Sequence, residues 1–263
     1  MKIGIVGKGF VGSAVANGFD KGTELFIVDS KYSTNTLEDL IAFSPTITFI
    51  CVPTPVSEDG SCDVTIASEV LLELSMRDYK GVCVIKSTII PDYLQEFKKE
   101  FDLKIVYNPE FLTEANANQD FINPKMQVLG GKWKDCEVVE KAYLRHSSVK
   151  VVPCFKTDLT TASLLKYTIN SFLATKVMFF NDLYKLHESS SSMASWEQFI
   201  DMLTRDPRMG DSHMQVPGPD GKFGFGGHCF PKDTDAMLAY AKNKNIKLNL
   251  LKKAVEVNKK IKG

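Results

Sequence analysis

Residues 2–19 read KIGIVGKGFVGSAVANGF, and the way this stretch folds organises the first half of the chain. Lys2–Val6 is a short, nearly all-apolar run, the pattern of a strand buried on both faces. It leads into Gly7-Lys8-Gly9-Phe10-Val11-Gly12 and then into SAVANGF, small residues that suit a helix packed closely on a sheet. Strand, glycines and helix in this order are the context in which a G-x-G-x-x-G segment binds a dinucleotide. Gly7 suits the tight turn, and Gly9 lets a pyrophosphate approach the backbone beside Phe10 and Val11. Gly12 lets helix and strand pack closely. The next apolar run, Leu25–Val28, ends in Asp29, 22 residues after Gly7, where an acid binds the adenosine ribose hydroxyls. A carboxylate there repels a 2′-phosphate, so NAD is expected rather than NADP.

Further apolar runs follow at Thr46–Val52, Gly81–Ile85, Leu103–Tyr107, Met126–Leu129 and Val149–Val152, with helical stretches between them. This alternation predicts a seven-stranded, mostly parallel, Rossmann-like sheet over residues 1–155. The conspicuous polar clusters fall at the C-terminal ends of the strands, the edge where open α/β sheets bind ligands. They are Pro53-Thr54-Pro55 with Asp59-Gly60 and Asp63, then Lys86-Ser87-Thr88, then Asn108-Pro109-Glu110. Pro53, Thr54 and Thr88 are therefore cofactor-side candidates. The Thr88 hydroxyl suits either a cofactor or water contact or a turn cap. Glu110 and Glu114 share one face if the chain is helical from Phe111. Such a pair is either a raised-pKa general base or two first-turn acids favoured by the helix dipole.

Past Pro153 the texture becomes helical, so residues 156–263 are expected to form an all-helical domain. Thr157 or Asp158 caps a helix running to about His187, with an apolar stripe of Leu164, Leu165, Ile169, Phe172 and Leu173. Lys166 and Asn170 interrupt it one turn apart. The lysine either snorkels to solvent or is aimed into a cleft, with Asn170 fixing its head or contacting substrate. Ser195 is an N-cap before Trp196, and Arg208 in DPRMG offers a planar fork for carboxylate or phosphate. Gly224–Asp233, reading GFGGHCFPKD, follows Phe223. Its glycines permit close backbone approach, and Pro231 suits a first helical turn. Cys229 then stands at or just before a helix N-terminus, where the dipole favours thiolate, and Asp233 lies one turn on. The other reading is a glycine turn with an inert, buried cysteine.

The chain has 263 residues, with 32 Lys and Arg against 32 Asp and Glu, a formal net charge of zero. That argues against a nucleic-acid or anionic-membrane partner. The six cysteines, 51, 62, 83, 136, 154 and 229, contain no CxxC pair. They suggest neither a metal site nor a disulfide scaffold, and reduced thiols fit a cytoplasmic protein. No signal peptide is evident, and no apolar run approaches the roughly 20 residues of a membrane span.

Taken together, GKGFVG with Asp29, CVPTP with DG and Asp63, KST, NPEFLTEA with Asp120, LLKYTIN, DPRMG and GFGGHCFPKD resemble the nucleotide-sugar 6-dehydrogenase family. This is the family of the UDP-glucose and GDP-mannose dehydrogenases. The pieces stand in family order over almost the whole chain, and the glucose type is the most similar. The resemblance implies NAD-dependent, four-electron oxidation of a sugar C6 alcohol to the carboxylate. It makes Cys229 the nucleophile, Lys166 the oxyanion stabiliser and Asp233 the manager of protons. Thr88, Glu110 and Asn170 would position water and substrate. Glu114 would lie near the nicotinamide, and Phe111, Leu112, Phe223, Gly224 and Gly226 would contact the sugar nucleotide. Arg208 would reach the substrate of a neighbouring subunit, which implies a homodimer through the helical central domain.

Three departures from the family pattern stand out. Family members continue past the central helix into a second α/β domain that helps hold the nucleotide, whereas this sequence stops at VEVNKKIKG. The expectation is either a short form partnered by a separate chain or weak substrate affinity. Ser163 replaces a usual glutamate, and His228 replaces a serine before the cysteine. GGHC points to N-acetylated sugars while FPKD points to glucose. Two rival readings are a two-electron β-hydroxyacid-type dehydrogenase, which needs no cysteine, and a catalytically impaired NAD-binding remnant.

Overall fold

A computed structural model describes residues 1–19, 22–57, 60–113 and 116–262. The chain divides into two compact units. The first comprises residues 1–55 and 62–166, and the second residues 56–61 and 167–263.

The first unit is built on strands β1 (Lys2–Val6), β2 (Glu24–Val28), β3 (Ile47–Ile50), β4 (Val82–Ile85), β5 (Lys104–Tyr107), β6 (Gln127–Gly131) and β7 (Cys154–Thr157). They form one sheet in the order β2-β1-β3-β4-β5-β6-β7, parallel throughout except for the β5–β6 pair. Its helices are α1 (Phe10–Gly18), α2 (Leu37–Phe43), α3 (Thr65–Met76), α4 (Pro91–Glu100), α5 (Ala117–Ile122) and α6 (Trp133–His146). The period of two along each strand divides the apolar runs between two cores. Ile3, Ile5, Ile47, Phe49, Val82 and Val84 enter one with Phe19 and Tyr143. Val6, Ile50, Cys83 and Ile85 enter the other with Leu71, Leu74 and Leu94. Burial on both faces is why the central strands read as continuous apolar segments.

The seventh strand differs from the expectation. Val149–Val152 is not a strand, Val151 is 79% exposed, and pairing with β6 begins at Cys154. Pro153 has no amide to donate, and its carbonyl accepts the Gln127 amide at 2.9 Å, so the ladder starts after it. The expected boundary at 155 falls inside β7, and the division between the compact units falls after Lys166.

Helix α7 (Leu159–Ser189) starts in the first unit, capped by Asp158, whose Oδ1 accepts the Thr161 amide at 2.9 Å. The second unit holds the remainder of α7 with α8 (Trp196–Thr204), α9 (Phe230–Asn243) and α10 (Asn249–Lys262). A reciprocal Ser195–Gln198 capping box starts α8, as the position of Ser195 predicts. Ala174, Met178, Phe225, Leu251, Ala254 and Val255 form one core of this unit, and Phe180, Trp196, Ile200, Met214 and Val216 another. No helix among the described residues is long and apolar enough to cross a membrane.

Candidate functional site

The G-x-G-x-x-G segment adopts the conformation its glycines allow. Gly7 has φ +89°, a left-handed value, and a Cβ on Gly12 would lie 1.9 Å from the Gly7 carbonyl oxygen. A Cβ on Gly9 would meet nothing within 4 Å, so that side of the turn is open. Gly9 caps α1 without a side-chain hydrogen bond, leaving the first-turn amides of Phe10, Val11 and Gly12 to an anion. Asp29 follows β2, and its carboxylate accepts the amides of Lys8 at 2.5 Å, Lys31 at 2.8 Å and Tyr32 at 3.0 Å. Partial burial disfavours its charged form, but these amides together outweigh burial and hold the carboxyl below its usual range. The cradle and the acid fit a dinucleotide with free ribose hydroxyls.

The C-terminal ends of β3, β4 and β5 carry a dense polar cluster. Thr54 is buried and donates to the Thr88 carbonyl at 2.9 Å, so its hydroxyl ties two loops together, while Pro53 is exposed. Thr88 is buried. Lys166, 2% exposed, does not snorkel. Its ammonium donates to the Glu110 carbonyl at 2.6 Å and pairs with Glu110 Oε1 at 3.1 Å, 5.4 Å from the Phe111 ring centroid. Glu110 Oε2 accepts the Leu112 amide at 2.6 Å, and Asp120 accepts the Thr113 amide at 2.8 Å. These side chains compete for backbone groups a helix would use, so residues 111–113 are not helical and the expected Glu110–Glu114 helical face does not start at Phe111. Glu114 lies outside the described residues, as does Asp59. Ser163, also buried, donates to the Ile89 carbonyl at 2.7 Å.

Sequence reasoning missed the neighbouring Lys86 as a buried charge. Its amine donates to Asn108 Oδ1 at 3.0 Å, an oxygen that also accepts the Tyr143 hydroxyl at 2.7 Å. Burial pushes the Lys86 amine down to about 8, despite nearby Cys51 and Glu110, and Lys166 adds to the depression. Burial likewise pushes the Cys51 thiol up to about 12. The only signal for Lys86 was its place directly after an all-apolar strand, where a side chain continues the buried alternation.

In the second unit, Cys229 is half-buried and is the N-cap of α9, with Pro231 in the first turn. The Asp233 amide donates to the Cys229 carbonyl at 2.9 Å, which places these residues one helical turn apart. The Asp233 side chain is fully buried; Asn170 Nδ2 donates to Oδ2 and Lys232 Nζ to Oδ1, each at 2.6 Å. The glycine loop before Cys229 is held by two buried asparagines. Gly224 has φ +73°, and its amide donates to Asn181 Oδ1 at 2.8 Å. Asn258 accepts the Phe225 amide at 2.8 Å and donates to its carbonyl at 3.1 Å. A Cβ on Gly224 would stand 2.3 Å from Asn258 Oδ1, whereas one on Gly226 would sit 3.4 Å from the Lys262 amine. Asn258 was findable, because it is a polar residue at the helical spacing of buried Leu251, Ala254 and Val255. Phe223 is 39% exposed, with its ring 5.9 Å from that of Tyr184. Arg208 is held with none of the other candidates. Its exposed guanidinium pairs with Asp206 of its own loop, Nε to Oδ1 at 2.9 Å. Among the described residues no cluster of three or more His, Cys, Asp or Glu side chains could hold a metal ion.

Residues 30–146 match the NAD binding domain of the UDP-glucose/GDP-mannose dehydrogenase family, and residues 160–260 match that family's central domain. The chain belongs to this family. The fingerprint glycines and Asp29 lie just before the first matched segment, so their assignment rests on their own geometry. A UDP-glucose 6-dehydrogenase of Rickettsia bellii is 36% identical over 222 residues, 80% of this chain and 48% of that protein. The chain spans about half the length of the curated relatives it matches first. Among solved structures, a UDP-glucose dehydrogenase from Pyrobaculum islandicum superposes with TM-score 0.84 at 24% identity, over 98% of this chain and 68% of that one. A 3-hydroxyisobutyrate dehydrogenase from Mycobacterium tuberculosis superposes with TM-score 0.74 at 14% identity, over 98% and 92%. At these identities the structural likenesses establish the fold alone.

Proposed function

We propose that this family member oxidises C6 of a nucleotide sugar of the UDP-glucose type to the carboxylate, through a covalent intermediate on Cys229. The observation that carries the reading is the buried Asp233 carboxylate, held by Asn170 and Lys232 one turn into the helix that Cys229 caps. A buried ion pair adds little net stability over apolar packing, so a role in proton handling is the reading favoured for this carboxylate beside the cysteine. The residues fit NAD, which Gly7, Gly9, Gly12, the first-turn amides of α1 and Asp29 would hold, and NAD would supply the hydride acceptor for both oxidations.

The remaining work falls to the chain's own side chains. The C6 alcohol loses a hydride and a proton to become an aldehyde. The Cys229 thiolate adds to the aldehyde carbon, forming a C–S bond and an alkoxide that Lys166 stabilises before it is protonated. Loss of a second hydride and the hydroxyl proton leaves a thioester. Water, positioned by Thr88, Glu110 and Asn170, attacks the acyl carbon, and the C–S bond breaks to return the thiolate and release the acid. Asp233 takes and returns protons in these steps. Phe111, Leu112, Phe223, Gly224 and Gly226 contact the sugar nucleotide in this scheme.

The proposal includes a homodimer through the helical unit. Phe172, Phe179 and Leu186 recur every seven residues on α7 and are 64%, 59% and 64% exposed. The first two also line a cavity of about 440 Å³ with Arg208, Met209 and Leu250. A ridge of that kind favours a second copy over water, and a dimer would carry Arg208 to a neighbouring substrate.

Product stoichiometry tests the function. Two NADH per acid formed from UDP-glucose supports it. One NADH with a released aldehyde or ketone would replace it with a two-electron dehydrogenase. A Cys229→Ser variant is expected to form no acid above about 1% of the parent rate, and acid formation at the parent rate removes cysteine from the mechanism.

A further inference from the structure

The reversal of β6 brings a second polar cluster to the other end of the sheet. β6 runs antiparallel to β5, with Val106 opposite Gly131. Its C-terminal end, and the start of α6 directly after it, therefore lie at the edge where β3, β4 and β5 begin. The dinucleotide turn follows the C-terminal end of β1 and lies at the opposite edge. A cavity of about 540 Å³ opens where β3, β4 and β5 begin, lined by Thr46, Lys80, Lys104, Lys132, Lys134 and Asp135. Lys80 stands just before β4, and Lys104 opens β5 in register with Val82. Lys104 Nζ donates to the Lys80 carbonyl at 2.8 Å, and Lys80 pairs with Asp78. Lys132 is the N-cap of α6 and gives it no side-chain cap, so the first-turn amides of Trp133 and Lys134 have no partner within the helix.

Asp135 is the member that does not fit a plain basic patch. It is 7% exposed, and its amide donates to the Lys132 carbonyl at 2.9 Å. Its carboxylate accepts no hydrogen bond and forms no ion pair among the described residues. Neither oxygen is sealed from solvent, because the sealed and unpartnered side-chain atoms belong to Tyr107, Tyr167, Ser171, His187 and Trp196. The carboxylate thus keeps some surface, and the cavity is the open space that Asp135 lines. A carboxylate so nearly buried without a donor is costly, so its place in the cavity points to a ligand N–H or O–H. Lysines outnumber it four to one, so the ligand as a whole is an anion. A phosphate monoester with hydroxyl groups close by meets both demands. Its phosphoryl oxygens suit Lys132, Lys134 and the start of α6, and a hydroxyl donates to Asp135. Among the described residues no aromatic side chain lines the cavity, so it offers no face on which a nucleobase could stack. The volume falls within the range of small-molecule sites. We propose that this cavity binds a sugar phosphate, its phosphate held by Lys132 and Lys134 and its hydroxyl by Asp135. The inference stands apart from the dehydrogenase reading.

Calorimetric titration of the whole chain tests it, with NADH present to occupy the dinucleotide turn. In phosphate-free buffer at low ionic strength, glucose 6-phosphate is expected to bind with a Kd of about 0.1–1 mM, and inorganic phosphate about tenfold more weakly. Lys132→Gln with Lys134→Gln changes two exposed side chains and is expected to weaken glucose 6-phosphate about tenfold or more at an unchanged melting temperature. Asp135→Asn keeps the side-chain size and removes the charge. It is expected to bind inorganic phosphate more tightly than the parent does, and to narrow the preference for glucose 6-phosphate to about threefold or less. A carboxylate with a merely structural role would change both affinities together or neither. Four results would overturn the proposal: no saturable heat with glucose 6-phosphate up to about 20 mM, AMP binding at least as tightly, undiminished binding in the double lysine variant, or an unchanged preference in Asp135→Asn. Turnover is not part of the measurement, so an absence of dehydrogenase activity leaves this test intact.

Discussion

Replacing Lys86 by methionine tests the electrostatics of the sheet edge. Lys86 is 3% exposed, its amine donates to Asn108 Oδ1 at 3.0 Å, and burial brings its pKa down to about 8. In the unfolded chain the same amine titrates near ~10.4. Below about 8 both states are protonated, and the native state bears the full penalty of a buried charge. Between about 8 and ~10.4 the unfolded state binds more protons than the native state, so stability rises with pH across that window. A gap of roughly 2 units at about 1.4 kcal/mol each gives a rise of about 3 kcal/mol. The methionine side chain of Lys86→Met lacks the titration but keeps the unbranched stem in the core. The stability difference, variant minus parent, is therefore expected to fall by about 3 kcal/mol between pH 7 and pH 10.5. Urea unfolding at a series of pH values measures it, and the constant offset from the lost hydrogen bond to Asn108 drops out of the comparison. A difference that stays flat within about 0.5 kcal/mol would refute the buried-charge reasoning.

Four further outcomes are expected. Gly12→Ala places a methyl against the Gly7 carbonyl, where only 1.9 Å is available, and should weaken NADH binding more than about tenfold by fluorescence titration. Asn170→Ala removes one of two donors from buried Asp233 and should destabilise by about 1–3 kcal/mol in chemical denaturation; an unchanged midpoint would show that the pair is not held in solution. Gly224→Ala combines a left-handed φ of +73° with a Cβ 2.3 Å from Asn258 Oδ1 and should lower stability by about 2–4 kcal/mol, read by thermal melting. Phe172→Asp with Phe179→Asp should give monomers by sedimentation velocity where the parent gives dimers, and a variant that remains dimeric would place the interface elsewhere.

Much of the first unit was legible because its information is local. The glycines at 7 and 12 have no substitute in that turn, and β1, β3, β4 and β5 declare themselves as apolar runs because both faces are buried. The last strand misled for a complementary reason. β7 is an edge strand with partners on one side, so Val149–Val152 has a strand-like composition while pairing starts beyond Pro153. The helical face proposed for Glu110 failed because Glu110 and Asp120 bind nearby amides, a choice composition does not record.

The sequence by itself determined the α/β class, the dinucleotide turn, the capped helices and the cysteine at the head of α9. Each of these depends on residues within a turn or a strand of one another. Partnerships across long separations were decided only by the tertiary structure. Lys166 turns inward because Glu110, 56 residues away, offers both a carboxylate and a carbonyl. Asp233 is buried as a charge because Asn170 reaches it from 63 residues earlier, beside the adjacent Lys232. Gly224 is irreplaceable because Asn258 fills the space a Cβ would need. A side chain's charge, burial and role depend on what packs against it, and chain folding alone chooses those neighbours.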